Sequence, residues 1–355
     1  MKVAIIGAGL AGLSCAIELE KNNIAPTIFE TKSFIGDIET HITASLNMRD
    51  RPIRDWVKYC DEVFGIKLTP VNTIKTITHH LPKKTTVVRG KNLGYFFKRG
   101  NEPDSVIAQL RSQLKTSEIR LSENCDYEEL AKEYDYVVIA NGECNFTKEL
   151  GCWQERVSGW VRGAVVTGSF NPNEIIMWMD RKYSNKGYAY LTPFSANKAS
   201  IVLYVPYISE QEIDHYWELF LYSENIRYTI LEEFKKLHHS GNVYPHRYEN
   251  IFLAGTSGGA IDSFLGFGQV DSITHGVNAG KAIANGVDYE ELIKKTVQST
   301  TDIWEIRKAF DRASNMDYDK MFSAIGTLGV KQLIYNTPIN FFKLTAFFIK
   351  LQKRL

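Results

Sequence analysis

Residues 3–12 read VAIIGAGLAG, so an apolar strand runs directly into the pattern G-x-G-x-x-G and then into an Ala/Leu-rich helix at 10–20. In such a junction the first glycine permits a tight turn, the second lets the backbone approach a pyrophosphate, and the third lets the helix pack close to the strand. The helix N-terminus adds N–H donors and the positive end of its dipole. We therefore predict that the phosphates of a dinucleotide are bound by Gly7, Gly9, Leu10, Ala11 and Gly12.

Glu30 ends the next predicted strand, 26–30, and bears on which dinucleotide is bound. A carboxylate at that position accepts hydrogen bonds from both ribose hydroxyls and repels a 2′-phosphate. The sequence therefore predicts an adenosine with a free ribose, as in FAD or NAD.

The composition indicates a globular protein, with 355 residues that are 44% hydrophobic and 23% charged, and the length favours two domains. The 42 basic and 41 acidic residues nearly cancel, which argues against a protein that covers nucleic-acid phosphates. Five scattered cysteines without a C-x-x-C pair fit a reducing compartment, and the sequence shows neither a signal peptide nor a membrane-spanning run. We therefore expect a cytoplasmic protein without a nucleic-acid partner.

Strand-to-glycine junctions recur at 136–142 and 251–255, far along the chain from the first one. Segments rich in β-branched and aromatic residues, typical of an antiparallel sheet, lie at 161–170, 174–179, 187–191 and 199–205. Helices are predicted at 209–222, at 228–239 and through most of the chain after 286. Because nucleotide-binding segments appear at the start, middle and end, the sheet is expected to be an inserted domain that lies beside the cofactor.

Residues 250–269 read NIFLAGTSGGAIDSFLGFGQ and lead into a second glycine-rich helix start. The segment resembles the second flavin-binding motif of the geranylgeranyl reductase branch of flavoproteins with the para-hydroxybenzoate hydroxylase fold, although Thr256 replaces a usual Asp and Ser263 a usual Pro. A helix start here offers N–H groups to the flavin O2 and N1 region, where negative charge collects on reduction. The resemblance implies FAD as the cofactor, contacted by Gly255, Thr256, Asp262, Gly266, Phe267 and Gly268.

Two further segments extend the resemblance. Residues 136–142, YVVIANG, resemble the middle strand of that family and add Gly142 to the predicted cofactor site. Residues 95–99, YFFKR, resemble a segment that carries an arginine before a helix. Arg99 is therefore a candidate for binding the flavin phosphates or ribityl chain, with an ordinary surface charge as the alternative.

The predicted architecture is of the α/β class: a Rossmann-like FAD-binding domain with an inserted antiparallel-sheet (α+β) substrate domain and a helical C-terminal region. We assign the FAD-binding domain to 1–40, 92–158 and 244–288, the substrate domain to 41–91 and 159–243, and the helical region to 289–355.

Residues 188–193, YAYLTP, resemble the Tyr-x-Trp-x-Phe-Pro pattern with which geranylgeranyl reductases line an isoprenoid pocket. On a strand Tyr188 and Tyr190 share one face and form an aromatic wall for a long apolar chain or a flat ring. We therefore predict a substrate pocket at Tyr188, Tyr190 and Pro193. The alternative is that the two tyrosines simply pack an ordinary sheet.

The resemblance implies an FAD-dependent oxidoreductase that reduces carbon–carbon double bonds of a polyprenyl or lipid-like substrate by hydride transfer from flavin N5. NAD(P)H or another reductant would supply the electrons. The alternatives are a class A-type flavin monooxygenase that hydroxylates an aromatic substrate, and a flavin-binding protein without turnover. No side chain is assigned as catalytic. The adjacent pairs His79–His80 and His238–His239 do not predict a metal site, because neighbouring side chains on a strand point to opposite faces.

The segment 320–355 is basic and contains no Asp or Glu. Its basic residues are Lys320, Lys331, Lys343, Lys350, Lys353 and Arg354. As a helix after Pro338, it places an apolar stripe opposite part of this charge, formed by Phe341, Leu344, Phe348 and Leu351. We predict peripheral membrane contact through this basic amphipathic helix. The alternative is a terminal helix that packs on the body and leaves its basic face in solvent.

Overall fold

The structure is a computed structural model that describes residues 1–352, so Lys353 and Arg354 of the predicted basic segment lie outside the described residues. The strands are β1 (Val3–Ile6), β2 (Thr27–Glu30), β3 (His41–Leu46), β4 (Asn72–His80), β5 (Thr85–Arg99), β6 (Glu118–Leu121), β7 (Tyr136–Ile139), β8 (Trp153–Thr167), β9 (Glu174–Trp178), β10 (Tyr188–Pro193), β11 (Lys198–Pro206), β12 (Thr229–Val243), β13 (Arg247–Tyr248) and β14 (Ile251–Leu253). The α-helices are α1 (Leu10–Lys21), α2 (Trp56–Phe64), α3 (Val106–Arg111), α4 (Tyr127–Glu133), α5 (Asn145–Glu149), α6 (Arg181–Ser184), α7 (Ile213–Ser223), α8 (Gln269–Asn285), α9 (Tyr289–Phe310), α10 (Asn315–Gly326), α11 (Leu328–Asn336) and α12 (Phe341–Gln352).

The first sheet has six strands in the order β13-β14-β7-β1-β2-β6. β1 lies between two parallel neighbours, with Ala4 opposite Thr27 of β2 and Val137 of β7. All four residues of β1 are buried, as expected for a parallel strand that is covered on both faces. This sheet and α1 confirm the predicted Rossmann-like domain.

The second sheet has eight strands in the order β12-β8-β11-β10-β9-β4-β5-β3. Its neighbouring strands are antiparallel except for β4 and β9, which run parallel from Thr76↔Glu174 to His80↔Trp178. The predicted large antiparallel sheet is therefore present, with one parallel pairing that the sequence pattern does not reveal.

The sequence predicts a helix at 228–239, but the structure has the edge strand β12 there. It pairs with β8 along nearly its full length, from Thr229↔Thr167 to Val243↔Trp153. Its Glu, Lys and Leu residues favour a helix locally, but propensity is a weak preference that tertiary pairing overrides. The helix prediction is therefore wrong here, whereas the helix predicted at 209–222 is present as α7.

Two strands of the larger sheet cross the predicted domain boundaries. β5 continues to Arg99, past the boundary at 91–92, and β8 begins at Trp153, before the boundary at 158–159. Strand pairing thus joins 92–99 and 153–158 to the larger sheet, and the other domain limits stay a prediction.

Between Gly286 and Gln352 the chain is mostly helical, as predicted, and its helices cover the larger sheet. Phe310, Phe322 and Phe342 from these helices pack in one apolar cluster with Ile77 and Phe96 from the sheet. Among the helices within residues 1–352, none is both long and apolar enough to cross a bilayer.

Candidate functional site

In the first glycine loop, residues 7–12, each of the three glycines has the surroundings that its predicted role requires. Gly7 has φ +104°, and a Cβ there would lie 2.5 Å from the carbonyl oxygen of Ala140. A Cβ on Gly12 would lie 2.0 Å from the carbonyl oxygen of Gly7, so α1 packs against β1 at van der Waals limits. A Cβ on Gly9 would meet only the Ala140 oxygen, at 3.9 Å, so this position faces open space. The close packing at Gly7 and Gly12 therefore leaves room beside Gly9, where a ligand can approach the backbone.

Leu10 and Ala11 open α1 directly after Gly9. The N–H groups of a first helical turn have no acceptor within the helix. They are therefore available as donors at the edge of the open space beside Gly9, which is the place that the predicted phosphate contacts require.

Glu30 lies beside this loop at the end of β2 and is buried. Its Oε2 accepts a hydrogen bond from the N–H of Ala8 at 3.0 Å, and its Oε1 accepts one from the N–H of Lys32 at 3.1 Å. These bonds hold the carboxylate against the glycine loop, where the ribose of a dinucleotide bound there would lie.

The second strand-to-glycine junction, residues 136–142, lies beside the first, since its Ala140 oxygen is the atom that faces Gly9. Gly142 has φ +80°, is exposed, and has no heavy atom within 4 Å of an added Cβ. The preceding Asn141 accepts a hydrogen bond from the hydroxyl of Ser257 at 2.8 Å. This bond ties the junction after β7 to the short 3-10 helix Gly255–Gly258 that follows β14.

The second glycine loop, residues 255–268, lies directly against the first. A Cβ on Gly255 would lie 2.9 Å from the Cβ of Ala11, and a Cβ on Gly276 would lie 2.1 Å from the carbonyl oxygen of Ala11. Helices α1 and α8 therefore touch through backbone, with the first turn of α1 against the third turn of α8. Thr256 is half-buried in this loop. Gly268 immediately precedes α8, and the N–H of Asp262 donates to the carbonyl oxygen of Phe267 at 2.8 Å.

Asp262 is bound by protein groups on both carboxylate oxygens. Its Oδ1 accepts from the N–H groups of Phe264 at 3.0 Å and Leu265 at 2.7 Å, and its Oδ2 accepts from Nε of Arg49 at 3.2 Å. These bonds shape the turn that leads to Gly266. Direct contact between Asp262 and the cofactor stays a prediction.

Arg49 is the partner that sequence reasoning missed. It follows β3, is buried, and contacts three carboxylates: Asp262, Asp50 through Nη1 at 2.8 Å, and Asp271 through both terminal nitrogens. Burial raises the pKa values of Asp50 and Asp271, and Arg49 opposes the shift. No local motif marks Arg49, because its partners lie more than two hundred positions away or next to it in the chain.

Replacing Asp50 by Asn is expected to reduce the loss of stability with rising pH. Burial raises the pKa of Asp50 from 3.8 to about 6, so the folded chain keeps a proton that the unfolded chain has released. That contribution is present below about pH 4 and is lost as the pH rises through about 6. Melting temperatures from pH 5 to 8 test this, with the exposed Asp61→Asn as the matched control. Equal pH profiles for Asp50→Asn and the wild type would contradict the assignment.

Arg99 forms an ion pair with Asp37 and is not an isolated surface charge. Its Nε lies 2.6 Å from Oδ2 and its Nη2 lies 3.0 Å from Oδ1 of that carboxylate. Burial alone would raise the pKa of Asp37, but the guanidinium beside it lowers that pKa well below its ordinary value. The contact between Arg99 and a flavin stays a prediction.

The predicted aromatic wall reaches the second glycine loop. The Tyr188 hydroxyl donates to the carbonyl oxygen of Leu265, next to Gly266. The Tyr188 ring lies 6.1 Å from that of Tyr190 and 6.0 Å from that of Tyr204 on β11. Pro193 lies at the far end of β10, where it is paired with Ala199. The structure thus brings Tyr188 and Tyr190 to the site and does not bring Pro193 there.

His238 is a second residue that sequence reasoning missed. A Cβ on Gly266 would lie 3.4 Å from both Cε1 and Nε2 of His238, and the imidazole lies 5.3 Å from the Tyr204 ring. Burial lowers the pKa of His238 to about 4, with Lys236 and His239 adding repulsion, so the imidazole is neutral near pH 7. His239 points away and contacts Glu155 at 2.7 Å. Recognising β12 as a strand would have revealed that only one of the two histidines faces the loop.

Comparison with known protein families gives one partial match. Residues 5–48 match the family of NAD(P)-binding Rossmann-like domains. No curated protein sequence matches the chain.

Solved structures with the same fold extend over nearly the whole chain. A geranylgeranyl bacteriochlorophyll reductase-like protein from Thermoplasma acidophilum is 14% identical, with a TM-score of 0.74 and 98% of each chain covered. The flavin-dependent brominase Bmp2 is 14% identical, with a TM-score of 0.67 and 95% of this chain and 93% of the brominase covered. The p-nitrophenol 4-monooxygenase PnpA from Pseudomonas putida DLL-E4 is 13% identical, with a TM-score of 0.68 and 94% and 96% covered. At these identities the likeness is one of fold. The chain therefore has the fold of these reductase-like, halogenase and monooxygenase structures, with a Rossmann-like α/β domain, an inserted sheet domain and C-terminal helices.

Proposed function

We propose that this chain is an oxidoreductase that binds FAD across its two glycine loops. The main support for the proposal is that both the second glycine loop, at Gly255, and helix α8, at Gly276, lie directly against Ala11 of the first glycine loop. One junction with an acidic strand end suits an adenosine diphosphate. The second glycine loop, which lies against the first, suits a ligand whose other end gains negative charge, as the flavin ring does on reduction.

The residues present fit such a ligand. Gly9 leaves open space for the pyrophosphate, the first turn of α1 supplies N–H donors, and Glu30 would accept from the ribose hydroxyls. The N-terminus of α8, which follows Gly268, would direct its positive dipole end toward the flavin ring. When bound, the flavin supplies hydride chemistry, and this chain supplies binding, orientation and the walls of the site.

We further propose that the reaction is reduction of carbon–carbon double bonds in a polyprenyl or lipid-like substrate, with electrons from NAD(P)H or another reductant. The tyrosine wall supports this, because Tyr188, Tyr190 and Tyr204 stand together at the edge of the second glycine loop. Such rings exclude water and pack against apolar chains.

Hydroxylation of an aromatic substrate is the second candidate, and His238 favours it. A neutral imidazole beside Gly266 can exchange hydrogen bonds with a phenolic oxygen, while the same tyrosines pack against a flat ring.

The visible absorbance of the purified protein, together with mass spectrometry of any extracted lipid, tests the proposal. We expect a flavin spectrum that is bleached by NAD(P)H or dithionite, and a lipid with unsaturated bonds. Colourless protein whose spectrum FAD does not restore would overturn it. Oxygen consumption with a hydroxylated product would instead select the second candidate.

Replacing Tyr190 by Ala is expected to lower kcat/KM for the substrate about tenfold or more, because loss of one buried aromatic contact removes about 1.5–3 kcal/mol. The flavin spectrum should be unchanged. Tyr222→Ala is the matched control, since Tyr222 is 83% exposed. Unchanged kinetics would remove Tyr190 from the substrate site.

We also propose a cytoplasmic location with peripheral membrane contact through α12. This helix packs inward through Phe342 and Ala346 and leaves Phe347, Phe348 and Leu351 exposed. Phe341 of the predicted stripe is half-buried, and Lys350 is paired with Asp302 at 2.7 Å, so the basic face is narrower than the sequence suggests. Exposed aromatic residues beside Lys343 support insertion into an anionic interface.

Sedimentation with anionic liposomes tests this contact. We expect the wild type to sediment and Phe347→Ser/Phe348→Ser to stay in the supernatant. Tyr222→Ser, which removes an exposed aromatic ring elsewhere, should behave like the wild type. Equal sedimentation of all three proteins would contradict membrane contact through α12.

A further inference from the structure

Asn340 joins the C-terminal helices to the loop that carries Arg49. Its side-chain nitrogen donates to the carbonyl oxygens of Arg49 at 3.2 Å and Arg51 at 3.3 Å. Its Oδ1 accepts from the N–H of Lys343 at 3.0 Å, at the start of α12. Arg51 in turn donates from Nη2 to the carbonyl oxygen of Tyr335 in α11 at 2.6 Å. Residues 49–51 are thus held from the side of the C-terminal helices by three hydrogen bonds, two to their backbone carbonyl oxygens and one from the Arg51 side chain.

The side chain of Arg49 holds the second glycine loop from the opposite direction. Its guanidinium bonds Asp262, which is within the loop, and Asp271, which is in the first turn of α8. Asp262 then accepts from the N–H groups of Phe264 and Leu265, immediately before Gly266. The conformation of the loop therefore depends on where the backbone of Arg49 lies.

Arg49, Asp262 and Asp271 are buried, so the loop conformation depends strongly on the position of Arg49. The side chains of Arg49, Asp262 and Asp271 are 4%, 1% and 6% exposed. A buried carboxylate that loses its cationic partner is costly, so the loop cannot move away from Arg49 without a large loss of free energy. A displacement of residues 49–51 is consequently passed on to the loop.

We propose that Asn340 and Arg49 are positioning residues that link the C-terminal helices α11 and α12 to the second glycine loop, so that order in one stabilises the other. As a statement about cofactor affinity, this rests on the proposed function. By linkage, a ligand that orders the second glycine loop must also order α11 and α12. A surface that orders α11 and α12 must in turn tighten ligand binding by the same factor. A lipid surface bound by α12 would then be sensed at the cofactor site.

Hydrogen exchange in the ligand-free full chain tests the link without any cofactor. Asn340→Asp keeps the oxygen that accepts from Lys343 and removes the donor to the two carbonyl oxygens. We expect exchange in residues 259–268 to become about fivefold to tenfold faster, as for the loss of about 1–1.5 kcal/mol. Residues 10–21 in α1 should be unchanged. The matched control is Asn336→Asp, at an exposed position of α11. Unchanged exchange in 259–268 would overturn the proposal.

FAD titration of the same proteins tests the reciprocal effect. We expect FAD to slow exchange in residues 328–352 of the wild type, and Asn340→Asp to weaken FAD binding about fivefold to tenfold with Asn336→Asp within about twofold of the wild type. Wild-type protein that fails to bind FAD would refute the proposed function, while the ligand-free exchange comparison would still decide the link. FAD binding that leaves exchange in residues 328–352 unaffected would refute only the coupling between the C-terminal helices and the second glycine loop.

Discussion

Gly9→Val is expected to yield a folded protein that retains no flavin. In the free protein an added Cβ meets only one atom, at 3.9 Å, and Gly9 has extended backbone angles that valine adopts readily. The valine would instead fill the space in which the pyrophosphate approaches the N–H groups of α1. Loss of two charge-assisted hydrogen bonds of about 1.5–3 kcal/mol each weakens FAD binding at least about a hundredfold.

The ratio of flavin to protein absorbance, measured together with the melting temperature of the flavin-free protein, checks this result. Gly329→Val is the matched control, because a Cβ there meets no atom within 4 Å and the residue lies in α11, away from the glycine loops. It should keep its flavin. A fully yellow Gly9→Val protein would show that the pyrophosphate does not bind beside Gly9.

Gly276→Ala is expected to destabilise the protein, although the same change inside a helix is ordinarily stabilising. Alanine exceeds glycine in helix propensity by about 1 kcal/mol. At position 276, however, the added methyl group would lie 2.1 Å from the carbonyl oxygen of Ala11. The two helices must separate to admit it, and such overpacking costs about 1–3 kcal/mol. Because the proposed FAD site spans the same contact, we expect FAD affinity to fall as well.

Chemical denaturation of the flavin-free proteins measures the effect on the free energy of unfolding. Gly329→Ala provides the opposite expectation, since it adds a methyl group to a helix where no atom lies within 4 Å. A stabilised Gly276→Ala protein would mean that α1 and α8 do not pack through backbone contact, and the basis for placing the two glycine loops side by side would be lost.

The sequence predicts correctly those parts of the fold that depend on contacts between residues close together in the chain. Gly7 and Gly12 are needed for contacts within one strand–turn–helix unit, so their spacing alone indicates what each does. The same holds for the second loop, where Gly268 directly precedes α8. The Rossmann-like domain, the large sheet and the helical C-terminal region are therefore confirmed.

The parts that the sequence does not reveal depend on distant partners. Strand β12 has the local composition of a helix and becomes a strand only because β8 pairs with it. His238 reaches the site through that pairing. Arg49 gains its role from carboxylates at 262 and 271, which no pattern around position 49 indicates. Long-range ion pairs and edge-strand pairing leave no periodic signal in one sequence.

The close contact between α1 and α8 also bears on how the chain is made. The core that contains Leu13 and Ile17 is completed by Ile273, Val277 and Ile283, which leave the ribosome much later. A nascent chain that ends near residue 250 lacks both α8 and β14, so its N-terminal unit exposes apolar surface while the intervening sheet is still being synthesised. Folding that waits for such late contacts is slow and prone to aggregation. The newly synthesised protein is therefore expected to depend on molecular chaperones until about the last quarter of the chain has emerged.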